Sequence, residues 1–392
     1  MFNKATIAAF GQRETPFFYY DLTLLQATLD RALAAAENYG FHVHYALKAN
    51  FNERILQCIQ KAGLGADCVS GNEVLKAVQT GFDVKKIVFA GVGKSDKEIL
   101  IGLEHDIFCF NVESVQELEV IGKLAKEHGK VAKIALRINP NVDAQTHQYI
   151  TTGLDENKFG IKTWELADCL EIIKKYDSLE FIGLHFHVGS QIVDLNVFKS
   201  LCVKVNEFNN WFDERGYRLK VLNVGGGLGV NYVDPDKEPI VDFAGYFEIF
   251  NQFLERKGNQ EVHFELGRAL VSQCGSLVSR VLYVKRGLKK HFLVLDAGMT
   301  ELMRPALYQA YHKIEHLSTN AVKDAEGIKV TYDVVGPICE STDCFGKEVE
   351  LPEVNRGDLI AIRTAGAYGE VMASRYNLRN EIRYVYDDEI TP

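Results

Sequence analysis

The sequence predicts an α/β protein in which a (β/α)8 barrel is joined to an antiparallel β domain. Three observations carry this expectation. Short β-rich runs alternate with amphipathic stretches through the first two-thirds of the chain. Eight such units fit into roughly 230 residues, the size of an ordinary barrel of this kind. Beyond residue 270 the rhythm changes, and strands follow one another without long helices between them. Strands alternating with helices argue for a parallel sheet, and successive strands joined by turns argue for an antiparallel one. An open doubly wound sheet is the competing arrangement for the first part.

The eight barrel strands are expected at HVHYAL (42–47), GADCV (65–69), KIVFA (86–90), DIFCF (106–110), AKIALRI (132–138), FIGLHFHV (181–188), VLNVGG (221–226) and VHFEL (262–266). Helix signals lie between them. In SGNEVLKAVQTG, Ser70 and Glu73 have capping-box spacing and Gly81 follows as a stop; SDKEILIGLEH repeats the device with Ser95 and Glu98. Further on, SLVSRVLYVKRGLKKHFLVLDAG reads as two strands around a tight basic turn, and KVTYDVVGPIC and GDLIAIRTAGAYG continue in strands. The aromatic segment TPFFYYD (15–21) is strand-like and is assigned to the same sheet. The expected domains are therefore 25–270 for the barrel, with 1–24 and 271–392 forming the β domain. No Ser- or Pro-rich linker, internal repeat or low-complexity tract interrupts the chain.

Composition narrows the function. The net charge is −9 and basic residues do not cluster, which argues against nucleic acid or an anionic membrane surface as partner. No apolar run approaches the ~18 residues of a membrane span. The opening MFNKATIAAFGQRETP is too poor in apolar residues for a secretory leader, so a cytoplasmic address is expected. The eight cysteines contain no CxxC pair and are expected to be mostly reduced core thiols.

The reactive residues of such a barrel sit at the carboxyl ends of its strands. The first strand ends at Lys48 in YALKAN, where desolvation would lower the amine's pKa and prepare it for imine formation. The seventh is followed by GGGLG (225–229), whose backbone N–H groups can approach a phosphate. The eighth runs into FELGR, bringing Glu265, Gly267 and Arg268 to the same rim. The sixth delivers HFHVGSQ (185–191). Zinc would need further ligands at close spacing, and a nucleophilic serine would need a G-x-S-x-G elbow; neither is present. What remains is a flat support with a hydroxyl donor for phosphate. With an imine-forming lysine, an anion loop and a carboxylate able to keep a pyridine nitrogen protonated, this describes a pocket for pyridoxal 5'-phosphate.

In this order YALKAN, HFHVGSQ, GGGLG, FELGR, CESTD and GAYG resemble the fold-type III pyridoxal-phosphate decarboxylases, which share the alanine racemase-like fold, and among them the diaminopimelate decarboxylase family. The likeness runs from about residue 15 to RYN (375–377), and THQYITTGLDENKFGI (146–161) adds to it. It implies decarboxylation of meso-2,6-diaminopimelate to L-lysine and CO2, the last step of lysine biosynthesis. Lys48 would carry the cofactor, His187 would lie against its ring, and Glu265 would pair with the ring nitrogen. Ser190, Gly226, Gly227, Gly267 and Tyr368 would surround the phosphate, with Tyr368 also beside the substrate. Arg268, Arg304 and Tyr308 would bind the distal carboxylate, and Glu340 the distal ammonium. The resemblance also implies a homodimer with shared sites, in which Cys339 comes from the other chain as a candidate proton donor.

Two positions depart from the family pattern. Leu266 stands where proline is usual, restoring a backbone N–H, and Thr342 stands where glycine is common, which disfavours a left-handed turn. The rival readings are a related decarboxylase for ornithine, arginine or carboxynorspermidine, an alanine-racemase-like enzyme, and a silent binding protein. A racemase of that type would place an Arg at the ring nitrogen, where this chain has Glu265. The segment 139–162 is long enough to form a cover over the site.

Overall fold

The computed structural model describes residues 2–140, 142, 158–317 and 329–390. The chain divides into two compact units. One comprises Leu29–Gly229 and Asp242–Arg268; the other comprises Met1–Thr28, Val230–Val241 and Ala269–Pro392. The second unit thus takes in Val230–Val241, a stretch lying inside the span expected for the barrel.

Sixteen strands are described: β1 (Phe17–Tyr20), β2 (His42–Ala46), β3 (Gly65–Cys68), β4 (Ile87–Phe89), β5 (Cys109–Val112), β6 (Ala132–Arg137), β7 (Leu179–His185), β8 (Val221–Asn223), β9 (Glu261–Leu266), β10 (Gly275–Arg286), β11 (His291–Leu295), β12 (Ile314–Leu317), β13 (Lys329–Val335), β14 (Cys344–Pro352), β15 (Leu359–Ile362) and β16 (Tyr384–Tyr386). In the first unit β2 to β9 pair in order, all parallel, and β9 closes on β2. The expected (β/α)8 barrel is present. Val88, Cys109, Ala135, Ile182 and Val221 form one buried cluster, a single residue from each of β4 to β8. Such a layer makes the barrel interior a packed core.

The local signals operate as the residue chemistry dictates, with three shifts. Ser70 accepts from the Glu73 N–H at 3.2 Å, but the Glu73 carboxylate reaches one residue further back, to the Val69 N–H at 2.7 Å. Glu98 accepts from the Ser95 N–H at 3.0 Å, as the box requires. The fourth strand starts at Cys109 rather than Asp106, because Asp106 takes a positive φ of 48° and ends the preceding helix. The sixth stops at His185, so His187 is a loop residue rather than a strand residue. The two histidines of HFHVGSQ therefore do not share a strand face.

In the second unit the sheet order is β12-β15-β10-β11-β13-β14, with β1 between β10 and β16. Most pairings are antiparallel; β11–β13 and β1–β16 are parallel. The basic turn lies at Gly287–Lys290, closed by a 3.0 Å bond from the Gly287 N–H to the Lys290 carbonyl. β1 is buried on both faces, which explains its unbroken FFYY. Phe17 and Tyr19 pack with Phe10, Val278, Leu359 and Val385. Among the described residues no helix is long and apolar enough to cross a membrane.

Candidate active site

Polar residues on otherwise apolar barrel strands converge on one carboxylate. Glu265, near the end of β9, accepts on Oε1 from Asn111 Nδ2 of β5 at 2.9 Å and from Asn223 Nδ2 of β8 at 2.7 Å. His185 Nε2 of β7 lies 3.0 Å from Oε2. β5 is not a neighbour of β9, so the Asn111 bond crosses the barrel interior. Three partners occupy three of a carboxylate's roughly four acceptor positions and leave room for one more donor on Oε2. Burial alone would raise the Glu265 carboxyl, but the His185 imidazole beside it, with the Lys48 ammonium behind, outweighs burial and holds it below the ordinary carboxylate range. The group is a buried anion.

Lys48 follows β2 directly, in the single turn Leu47–Ala49, and is half-buried. The sequence reading relied on desolvation to free its amine. The structure adds charge: Lys48 stabilises the ionised forms of Asp67, Glu73 and Glu265. Asp67, on β3, is 2% exposed, and its Oδ1 has no hydrogen-bond partner. Burial first, and then the Glu265 charge, push the Asp67 carboxyl well above its usual range. His187 is held neutral, chiefly by burial and then by the nearby cations Arg137 and Lys48. Its Nδ1 accepts from the Gly226 N–H at 3.4 Å. Arg137 itself pairs with Glu113 at 2.5 Å, with both side chains buried.

The loop after β8 is tied to the carboxylate strand: the Glu265 N–H donates to the Gly225 carbonyl at 2.8 Å. A Cβ on Gly226 would stand 1.9 Å from the Glu265 carbonyl oxygen, and one on Gly227, where φ is +109°, would stand 2.6 Å from the Gly189 carbonyl oxygen. Only glycine fits there. Ser190 Oγ accepts from Arg268 at 3.0 Å. Gly267 packs against Ala46 and Ala49, beside Lys48. Leu266 keeps strand register opposite Tyr45, so its extra N–H is accommodated in β9. Lys48, His187, Ser190, Gly226, Gly227, Glu265, Gly267 and Arg268 are thus on the carboxyl rim of one barrel. Arg268, expected at the distal carboxylate, stands within hydrogen-bond reach of Ser190, a phosphate candidate.

The remaining candidates lie in the second unit. Arg304 is 6% exposed and opens the short helix Arg304–Tyr308; its NH1 donates to Tyr232 Oη at 2.7 Å and lies 3.4 Å from His312 Nε2. Tyr308, four residues on, is half-buried. Cys339 and Glu340 are exposed, and Glu340 accepts from Tyr376 Oη at 2.9 Å. Their turn is pinned by buried Asp343, whose carboxylate accepts from the Ile338 and Met299 N–H groups at 2.7 and 2.6 Å. Thr342 is not among the described non-glycine residues with positive φ, so the turn forms without the glycine usual there. Tyr368 does have a positive φ, 57°, in the GAYG turn. His147 and the rest of 143–157 lie outside the described residues, and with them most of the 139–162 segment.

Sequence reasoning missed Asn111, Asn223, His185 as a carboxylate partner, Asp67 and Arg137. A signal existed: each is a polar residue inside an apolar strand. The set fits a pyridine ring with a phosphate. A buried anion with an open acceptor position suits a ring N–H, and a glycine cradle with a hydroxyl and a guanidinium suits a phosphate.

These features define an enzyme class. Residues 25–272 match the family described as pyridoxal-dependent decarboxylase, pyridoxal binding domain. The chain belongs to this family. It is similar to the diaminopimelate decarboxylase of Bacteroides thetaiotaomicron, with 52% identity over 385 residues covering 98% of each chain. The structure resembles that of diaminopimelate decarboxylase from Helicobacter pylori complexed with L-lysine, with a TM-score of 0.90 and 38% identity over 97% of this chain and 93% of the other. Arginine decarboxylase from Paramecium bursaria Chlorella virus shares the fold, with a TM-score of 0.83 at 21% identity, covering 97% and 98% of the two chains.

Proposed function

We propose that this protein removes one carboxylate from meso-2,6-diaminopimelate, giving L-lysine and CO2, with pyridoxal 5'-phosphate as cofactor. The observation that carries the reading is the buried Glu265 carboxylate, held anionic on the rim that also bears Lys48, His187 and the glycine cradle. The near-full-length likeness to diaminopimelate decarboxylases supports the substrate.

The cofactor, when bound, supplies an electron-accepting ring for the pair released as the bond to the carboxylate breaks. Glu265 keeps a proton on the ring nitrogen. His187, neutral, would support the ring face, and the Lys48 amine would hold the cofactor. Ser190, Arg268, Gly226, Gly227, Gly267 and Tyr368 hold the phosphate. The carbon that loses CO2 takes up one proton, for which the Cys339 thiol is the donor. Arg304 and Tyr308 bind the distal carboxylate and Glu340 the distal ammonium, so the two ends of a nearly symmetric substrate are told apart. Tyr232 and His312 orient Arg304 for this role.

The test is release of CO2 by the purified, cofactor-loaded protein offered meso-diaminopimelate, ornithine and arginine separately. Release from diaminopimelate alone is expected; release from ornithine or arginine without diaminopimelate would overturn the substrate assignment. Arg304→Ala should raise KM about 100-fold, as expected for losing a buried charged hydrogen bond. The absorbance of bound cofactor should stay unchanged, and a lost band would move Arg304 into the cofactor's own site.

The working form is proposed to be a homodimer in which each site takes Cys339 and Glu340 from the other copy. Lys48→Ala and Cys339→Ala chains, each nearly inactive alone, should then regain about a quarter of wild-type activity when unfolded and refolded together, since half the dimers carry one intact site. No recovery in mixed dimers would show that each chain builds its own site.

A further inference from the structure

At the other end of the barrel, away from the rim described above, three side chains form a constellation that decarboxylation does not use. His42 opens β2, and Glu261 and His263 lie at the start of β9. β2 and β9 are the strands whose pairing closes the barrel, and His42 stands directly opposite His263 in that ladder. Glu261 is two residues before His263, hence on the same strand face. One ligand atom from each of the three lies within 4.8 Å of the other two.

Hydrogen-bond accounting gives the cluster a direction. His44 Nδ1 lies 3.0 Å from the Lys86 carbonyl oxygen, which only accepts, so Nδ1 carries the hydrogen. Buried His44 meets His263 Nδ1 through its Nε2 at 2.8 Å, which fixes the orientation of the His263 ring. His263 Nε2 then faces the Glu261 carboxylate oxygen at 3.2 Å.

The Glu261–His263 spacing suits a metal, and the His42 ligand atom lies within 4.8 Å of both. Two ligands, each about 2.0–2.1 Å from a tetrahedral ion, stand about 3.4 Å apart. Ligating histidines typically donate their second ring N–H to a fixed partner, which is the role His44 has toward His263. The arrangement is built in: a Cβ on Gly65 would stand 2.3 Å from His44 Nδ1, so glycine at that position makes room for the His44–Lys86 bond. His42 and Glu261 are exposed, which leaves an entry path and an open coordination position for water.

We propose that His42, Glu261 and His263 bind one divalent transition-metal ion of the zinc class, which staples the barrel closed between its first and last strands. Two imidazoles and a carboxylate select such an ion over magnesium or calcium. Cofactor-loaded protein, stripped with a chelator and dialysed, is titrated with CoCl2 and, separately, ZnCl2. One Co2+ per chain should bind, with visible absorbance of tetrahedral intensity, and Zn2+ should raise Tm by roughly 3–6 °C at 100-fold excess over Kd. His42→Ala and Glu261→Gln, both exposed positions, should each lose the absorbance and the Tm rise while retaining wild-type turnover. The proposal fails if wild type shows neither signal, which would mean that a proton alone bridges His263 and Glu261. It fails equally if both variants bind the ion as wild type does.

Discussion

Lys48→Ala is expected to lower turnover by roughly four orders of magnitude or more, the scale seen when a covalently acting residue is removed. It should also remove the near-visible absorbance band of the bound cofactor. The fold should survive, because Lys48 lies in a single turn after β2 and is only half-buried. The assignment would be refuted by a variant that keeps the band, since another lysine would then hold the cofactor. Circular dichroism and gel filtration separate this result from simple unfolding. A secondary effect should follow from charge: without the ammonium, Asp67 and Glu73 lose a cation that favours their ionised forms. Asp67 should then be protonated over a still wider pH range.

Glu265→Gln should cut kcat by about 10²–10³-fold, the loss typical when one preorganised electrostatic group is neutralised, with KM little changed. The glutamine fills the same volume but cannot hold a proton on the ring nitrogen as an anion does. It also turns an NH2 group toward the Asn111 and Asn223 amides or His185, which now donate to a carboxylate. Stability should respond with a definite sign. The folded-state pKa of Glu265 lies below the ordinary 4.5, so its contribution is present above that value and is lost as pH falls through the folded-state pKa. Urea unfolding of wild type and variant should therefore differ most near neutrality and converge in acid. A gap that widens on acidification would contradict a depressed pKa.

Strand ends were the readable part of this site. Lys48, the glycines after Asn223 and Glu265 each close an apolar run, and that position on a barrel marks the reactive rim. The barrel itself was visible in the strand–helix alternation, helped by start signals such as those at Ser70 and Ser95. What stayed hidden depends on pairing across the interior. Asn111 and Asn223 lie 112 residues apart, yet both bond the same carboxylate oxygen, and only barrel closure brings them together. The two histidines of HFHVGSQ looked equivalent because their spacing suits a strand. Where the strand ends decides between them: His185 remains in the ladder and supports Glu265, and His187 leaves it and meets Gly226. The late start of β5 turned on the backbone of Asp106, which no hydrophobic pattern reports.

The position of β1 has a consequence for biogenesis. FFYY emerges from the ribosome early, but its two neighbours are β10 and β16, more than 250 residues downstream. At 5–20 residues per second, this apolar segment waits on the order of tens of seconds before either partner is synthesised. The (β/α)8 unit can complete itself in that interval, since its last strand ends at Leu266. The nascent N-terminal region meanwhile exposes an unsatisfied sticky edge, which is where chaperone capture and misassembly of overexpressed chains should concentrate.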